Sequence, residues 1–488
     1  MKKLTDERFL KKILLIFLCI QPILDCYILY TDEVINFFHF SPTTILRILI
    51  IAFLFCVLFF NKKNKNNRKI IYIYGGLTII YTIFHHLVTS GLDNSGYPTF
   101  AYSIVTELFY IIRMLLPIAV IYLTYILKPT KEEFIKLFLI VGAITSVIIV
   151  GSNLLEISLA SYGGGIIKGN IFDWFFSNKY GSQDLASKGW FNSANQISGL
   201  MFILLPICVY SLFEKITKPR VTIVILLVIS MIMLGTRVAS YGWLLIVIMM
   251  IMLYLFFVFI IKNIKFEWKK IVIILLIMIF GIFLMLEAPI VSTNIDHHES
   301  SEEELQKMRD ENVPTLEMLG YIGMNEIYYE EIYPYEDHEE FWEYVVDDVS
   351  PTQRVGNRNS QRLVTNDVAK TYENFPRSLF GLGYSRFISA QLYLEKDFVV
   401  HFYTIGIIGI VLLLLPYVFI AIYGLFKAIK SKKFSLFIVT TLAILVLPLG
   451  VSFFSGHIVD ELIISLYLGF IGGYILCESK EASEDGQS

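Results

Sequence analysis

Cysteine is scarce in this sequence and missing from its hydrophilic stretches. Only Cys19, Cys26, Cys56, Cys208 and Cys477 are present, each in or beside an apolar run. This excludes a disulfide framework in the long polar segment and a cysteine metal cluster. Charge is also sparse: 17% of the 488 residues are Asp, Glu, Lys or Arg, and the net charge is −3. No basic stripe of the kind that tracks phosphodiesters is present, so no nucleic-acid partner is expected. Internal repeats and low-complexity tracts are lacking as well.

Apolar residues are abundant, at 56% of the chain with a mean hydropathy of +0.64. A soluble chain this apolar could not cover itself with polar surface. Lys2 and Lys3 precede an apolar run from Ile13, as in a signal peptide. No small-residue cleavage site follows, and the run continues past Pro22 and Asp25 to Tyr30, which reads as a retained first helix.

A bilayer core of roughly 30 Å takes about 20 apolar helical residues. Runs that fit lie near 13–31, 43–60, 70–88, 102–127, 134–155, 193–213, 221–236, 239–261, 271–287, 398–424, 434–452 and 458–476. The break between 221–236 and 239–261 has almost no loop, but the stretch Val221 to Ile261 is too long for one span. The connections alternate in charge. NKKNKNNRK (61–69), KPTKEE (128–133), EKITKPR (214–220), KNIKFEWKK (262–270) and KAIKSKK (427–433) are basic. The other set, 32–42, 89–100, 235–240 and 453–457, holds Arg237 as its one Lys or Arg. By the positive-inside rule the basic set is cytoplasmic.

The expected fold is therefore an all-α polytopic membrane protein with about twelve transmembrane helices and both termini cytoplasmic, in the plasma membrane. Residues 1–287 would hold nine spans with a smaller outer loop at 156–192. Residues 288–397 would form a large extracytoplasmic loop containing short helices. Residues 398–476 would hold three more spans, and 477–488 a cytoplasmic tail. The large loop is acidic first, with eighteen Asp and Glu from Asp296 to Asp348, and basic afterwards.

Charges inside a bilayer cost at least about 2.5 kcal/mol each and need a reason. Asp25, Arg47, Glu107 and Arg113 are such residues. Glu107 and Arg113 are six apart, do not share a helix face, and should pair with other helices. Arg237, in GTRVASYG, sits at the outer end of two spans, at headgroup level. Its planar, permanently charged fork suits phosphate oxygens, although snorkelling would also place an arginine there.

The stretch TQRVGNRNSQRLVTNDVAKTYENFPRSLFGLGYSRF (352–387) predicts a helix capped by Ser360 and ended by Pro376. Val364, Val368, Tyr372 and Phe375 would pack inward. A helix reaching back to Arg358 would stack Arg358 and Arg362 on one face, either as an anion site or as a solvated basic surface. GLG at 381–383 marks a tight turn. In EKDFVVHFYTIGIIG (395–409), Glu395, Asp397 and His401 are titratable groups at the return to the membrane. Asp397 and His401, four apart, could touch and act as a base or relay. Acids suited to a helix N-terminus are the competing explanation. His297, His298 and His338 lie in the acidic part, read here as solvated surface rather than a metal site.

These stretches resemble the O-antigen ligase and polymerase superfamily, the Wzy/WaaL-like glycan polymerases. KGWFNSANQISGLMFILLP (188–206) is similar to the family's asparagine-bearing lead into a span, and GTRVASYG to its arginine-bearing helix junction. The 352–387 stretch resembles the loop segment in which an arginine opens a helix and a glycine turn closes it. The 395–409 stretch resembles the segment with a histidine or acid eleven residues before a GxxG glycine. The resemblance covers the whole hydropathy pattern.

The resemblance implies an inverting, metal-independent glycosyltransferase without cofactor, acting outside the membrane on an undecaprenyl-pyrophosphate-linked oligosaccharide. It implies that Arg237 and Arg362, with Arg358 beside them, hold the pyrophosphate, that Asn195 touches substrate, and that a base activates the acceptor hydroxyl. The ligases use a histidine eleven before the glycine. Counting back from Gly406 gives Glu395, which leaves the base open among Glu395, Asp397 and His401. The expected activity is polymerisation of repeat units for a capsule, exopolysaccharide or cell-wall glycan, alongside a flippase and a chain-length regulator. A ligase, or a lipid-linked glycan flippase or transporter, are the alternatives. A transporter would favour internal symmetry and midplane charges, which this sequence does not show.

Overall fold

The computed structural model describes residues 6–31, 34, 41–93, 99–161, 165–176, 186–288, 303–321, 324, 326, 328–347, 358–372, 374–390, 392, 397–431, 434–454 and 458–484. The chain forms two compact units. One comprises Met1–Ile71, Arg113–Ser292 and Pro416–Ser488, and the other Tyr72–Ile112 and Thr293–Leu415. They are called here the helical unit and the loop unit.

The protein is an all-α polytopic membrane protein. Among the described residues, ten helices are long and apolar enough to cross a bilayer. The helices before the large loop are α1 (Glu7–Cys19), α2 (Pro42–Phe60), α3 (Arg68–Ser90), α4 (Ile104–Leu127), α5 (Lys131–Leu154), α6 (Ala194–Glu214), α7 (Lys218–Met233), α8 (Arg237–Phe259) and α9 (Trp268–Glu287). Within the loop come α10 (Thr315–Tyr321), α11 (Glu339–Asp347), α12 (Arg358–Tyr372), α13 (Phe375–Phe380) and α14 (Tyr384–Ser389). Then follow α15 (Asp397–Leu413), α16 (Leu415–Lys430), α17 (Leu436–Phe454) and α18 (Leu462–Glu484). Along α3, Ile70, Ile73, Leu77, Ile80, Phe84 and Leu87 are exposed. A row of bare aliphatic side chains at helical spacing is stable only against lipid.

Two expected spans differ. The 13–31 run is not one helix: α1 has 13 residues, then a separate turn at Gln21–Leu24 carries Pro22. The break is tolerated because the freed backbone finds partners. Tyr27 N donates to Trp190 O (2.7 Å), Asn192 N donates to Asp25 O (3.2 Å), and Cys26 bridges to Phe191. The 221–236 run gives α7, which is only 16 residues long. The expected break between α7 and α8 is present, three residues wide, at 234–236.

In the helical unit α6 is almost wholly buried. Its Phe202 ring lies where a Cβ on Gly242 of α8 would be, and the Trp243 ring fills the same place over Gly281 of α9. The 156–192 segment contributes a two-stranded antiparallel pair, β1 (Leu159–Ala160) and β2 (Ser187–Gly189).

The loop unit has its own core, including Trp342, Val345, Val346, Met318, Tyr328 and Tyr333 with Val364, Val368 and Tyr372 of α12. The acidic sequence is accommodated because α11 is amphipathic: Trp342 and Val345 face in while Glu339, Glu340 and Glu343 stay exposed. The Trp342 indole N–H donates to Tyr333 O (2.9 Å), so the buried ring leaves no orphan donor.

Candidate functional site

In the loop unit the glycine turn and α15 are joined backbone to backbone. Leu382 N donates to Tyr403 O (2.7 Å) and Gly383 N to Thr404 O (3.0 Å). Gly406 interrupts α15 with φ 67 and ψ 179, a combination open essentially to glycine alone. A Cβ there would lie 2.5 Å from Gly381 N and from Leu379 O, and one on Gly381 2.3 Å from Thr404 O. The two glycine motifs of the sequence are thus two halves of one contact.

A buried polar cluster adjoins this contact. Glu107, in the first turn of α4, accepts through Oε1 from Ser385 N (2.6 Å) and Ser385 Oγ (2.7 Å). Its Oε2 lies 3.2 Å from His85 Nε2, and His85 Nδ1 lies 2.5 Å from Phe380 O. Arg386 is 2% exposed and donates to Phe100 O (2.5 Å), Thr89 O (2.8 Å) and Leu92 O (3.2 Å). Burial lowers its pKa from the ordinary arginine value, against the opposing pull of Tyr372 and Glu107. Glu107 therefore pairs with another helix, as expected. His85 was not anticipated, although an ionisable residue within the 70–88 span was the signal for it.

Asp397 and His401 occupy the start of α15, one turn apart, at 2% and 0% exposure. The Tyr110 hydroxyl is 3.0 Å from His401 Nδ1, and the Tyr110 ring stacks on Tyr384 at 3.8 Å. Glu395 lies outside the described residues. The arginine-bearing α12 is tied to α15 by Tyr403, whose hydroxyl donates to Asn366 Oδ1. Arg362 stands one turn before Asn366, half-buried, with Nε enclosed and without a hydrogen-bond partner among the described residues. The helix reaches back to Arg358, whose side chain lies outside the described residues.

Three details correct the sequence expectation. Ser360 is inside α12 rather than capping it. Pro376 opens α13 instead of ending α12, which stops at Tyr372. Phe375 is 78% exposed and does not pack inward, whereas Val364, Val368 and Tyr372 do. Phe375 belongs to α13 and not to α12, so the helical spacing does not carry to it.

In the helical unit Arg237 is the first residue of α8; its side chain lies outside the described residues. Thr236 caps this helix, its Oγ1 accepting from Ala239 N (3.2 Å), and it meets Ser198 Oγ of α6 at 2.7 Å. Asn195, half-buried, is in the first turn of α6. The other intramembrane charges are paired. Arg47 meets Asp25 at 3.0 Å, Gln21 Oε1 at 2.8 Å and the Tyr30 hydroxyl at 3.3 Å. Arg113 donates to Asp460 O (3.0 Å) and lies 3.8 Å from Glu461.

A family model described as O-antigen ligase like membrane protein matches residues 7–482. The chain belongs to this family. Membership of the O-antigen ligase-like family supports a membrane-embedded enzyme of the glycan polymerase and ligase kind. Comparison with individually curated proteins gives no match.

Proposed function

We propose that the protein is a polymerase that joins undecaprenyl-pyrophosphate-linked repeat units by inverting glycosyl transfer, with the basic loops cytoplasmic and the large loop outside. The acceptor sugar hydroxyl attacks the anomeric carbon of the donor, the bond to the pyrophosphate oxygen breaks, and the hydroxyl proton passes to a base. Arg362 neutralises charge building on the leaving pyrophosphate, a task that a fixed guanidinium group performs without a metal. A flippase and a chain-length regulator would supply donor and limit length.

The observation that carries the polymerase reading is the residue eleven before Gly406. Gly406 is a fixed point of the fold, locked against Gly381. The residue counted from it is Glu395, where the ligases that this sequence resembles have histidine. Glu395 is accordingly the proposed base. The burial of Asp397 and His401 suits positioning roles.

The test is a reconstituted assay with one lipid-linked repeat unit and no other acceptor, read as a polymer ladder with membrane abundance checked by blot. A ladder from wild type that persists in EDTA is expected. Glu395→Gln and Arg362→Lys should each lose most of it at normal abundance, since lysine keeps the charge but not the fork. No ladder in this assay, with transfer appearing once a separate acceptor is added, would instead make the protein a ligase. A normal ladder from both variants would overturn the site.

A further inference from the structure

His85 touches oxygen on both sides. Phe380 O can only accept, so His85 Nδ1, 2.5 Å away, carries a proton. Were Nε2 bare, its lone pair would face Glu107 Oε2 at 3.2 Å. A second proton therefore belongs between Nε2 and Oε2. Glu107 Oε1 accepts two hydrogen bonds from Ser385, so both oxygens of the carboxyl group are engaged. Tyr81, stacked on His85, and Tyr102 are the other titratable groups that feel Glu107. Both are neutral phenols in ordinary solution.

We propose that His85 and Glu107 share this proton and act as positioning residues. Together they latch the 380–386 segment onto α3 and α4, and through the glycine contact they fix the register of α15. Phe380 O, Ser385 N and Ser385 Oγ are all held by this one pair, and each lies within five residues of Gly381, which backs Gly406. What the latch does for glycosyl transfer rests on the proposed reaction; the latch itself does not.

The two partners predict different behaviour from a neutral isostere. In Glu107→Gln the amide oxygen still accepts from Ser385, and the amide N–H donates to Nε2 of a neutral His85 that keeps its Nδ1 proton for Phe380 O. Every hydrogen bond survives. In Glu107→Ala the Ser385 groups and His85 are orphaned.

Hydrogen–deuterium exchange of the full-length protein in detergent, corrected for intrinsic rates, reads the latch without substrate. Wild type should protect 381–386 by about tenfold or more over Glu107→Ala. Glu107→Gln should stay as protected as wild type, because its amide replaces every hydrogen bond of the carboxylate. The polymer ladder should likewise persist in Glu107→Gln and be lost in Glu107→Ala. Glu107→Ala as protected as wild type, or Glu107→Gln as open as Glu107→Ala, would overturn the latch. A failed polymer assay with intact exchange behaviour would count against the reaction alone.

Discussion

In the helical unit, Gly242 and Gly281 lie inside helices and make room for rings, those of Phe202 and Trp243. In the loop unit, Gly381 and Gly406 make room for each other's backbone. A ring can tilt or shift to admit a methyl group, but a backbone already engaged in hydrogen bonds cannot. The buried arginines differ in the same sense. Arg47 is balanced by the carboxylate of Asp25, with Gln21 and Tyr30 taking further N–H groups. Arg386 is held by three backbone carbonyls. One unit is joined by side chains within an apolar medium, where ionised groups need opposite charge. The other is stitched through its main chain, where loop segments without regular ladders must find partners elsewhere.

The comparison would break first at Gly406. Gly406→Ala forces a non-glycine residue into a conformation costing about 1–3 kcal/mol and also overlaps fixed backbone, so a loss of about 3 kcal/mol or more is expected. Gly281→Ala should cost about 1–3 kcal/mol, because the Trp243 ring must move. Gly75→Ala in α3, with nothing within 4 Å of the added carbon, should be neutral or stabilise by up to about 1 kcal/mol. Thermal unfolding in detergent ranks the three. Equal losses at Gly406 and Gly281 would erase the distinction between ring and backbone packing.

Next in size is Arg386→Lys. Three fixed carbonyl contacts match a planar fork and not a rotating ammonium. We expect about 2–3 kcal/mol of lost stability, the weight of hydrogen bonds to a charged group, and reduced membrane abundance. Arg362→Lys should leave abundance unchanged, because its enclosed Nε makes no hydrogen bond among the described residues. Abundance on a blot, normalised to wild type, separates the two. A normal level for Arg386→Lys would mean that the carbonyl clasp carries little of the loop's stability.

Much of this architecture could be read from residue order. The apolar runs, the break at 234–236 and the inward face of Val364, Val368 and Tyr372 all follow from local periodicity and length. The division of the 13–31 run was not legible, because Pro22 and Asp25 become tolerable only through Arg47 and the 190–192 segment. His85 and Arg386 were opaque for the same reason. Glu107 aside, their hydrogen-bond partners are nearly three hundred residues away in the chain and are backbone carbonyls, which leave no mark in composition. Counting from Gly406 to Glu395 needed only the sequence, but the reason that Gly406 is a sound origin needed the fold.

The smallest expected effect concerns His338, at the edge of the loop core. Its ring stacks on Tyr333 at 3.4 Å, and the Tyr333 hydroxyl donates to Asp367 on α12. Burial lowers its pKa from the ordinary value of 6.5, more than Asp337 and Asp367 raise it. A histidine with a depressed folded pKa contributes stability above its unfolded pKa and loses it as pH falls. The loop unit should therefore weaken slightly as pH drops below about 6.5, with the slope fading once the folded group is also protonated. The group is partly exposed, so solvent screens it and the change should be a small shift in unfolding temperature. His338→Phe keeps a ring on Tyr333 and cannot titrate. The wild type and this variant should separate only on the acid side, and the α1–α2 pair of Asp25 and Arg47 should feel neither change. If the two melt identically from about pH 5 to about pH 7.5, the stack is indifferent to charge and the loop core is set by its apolar contacts alone.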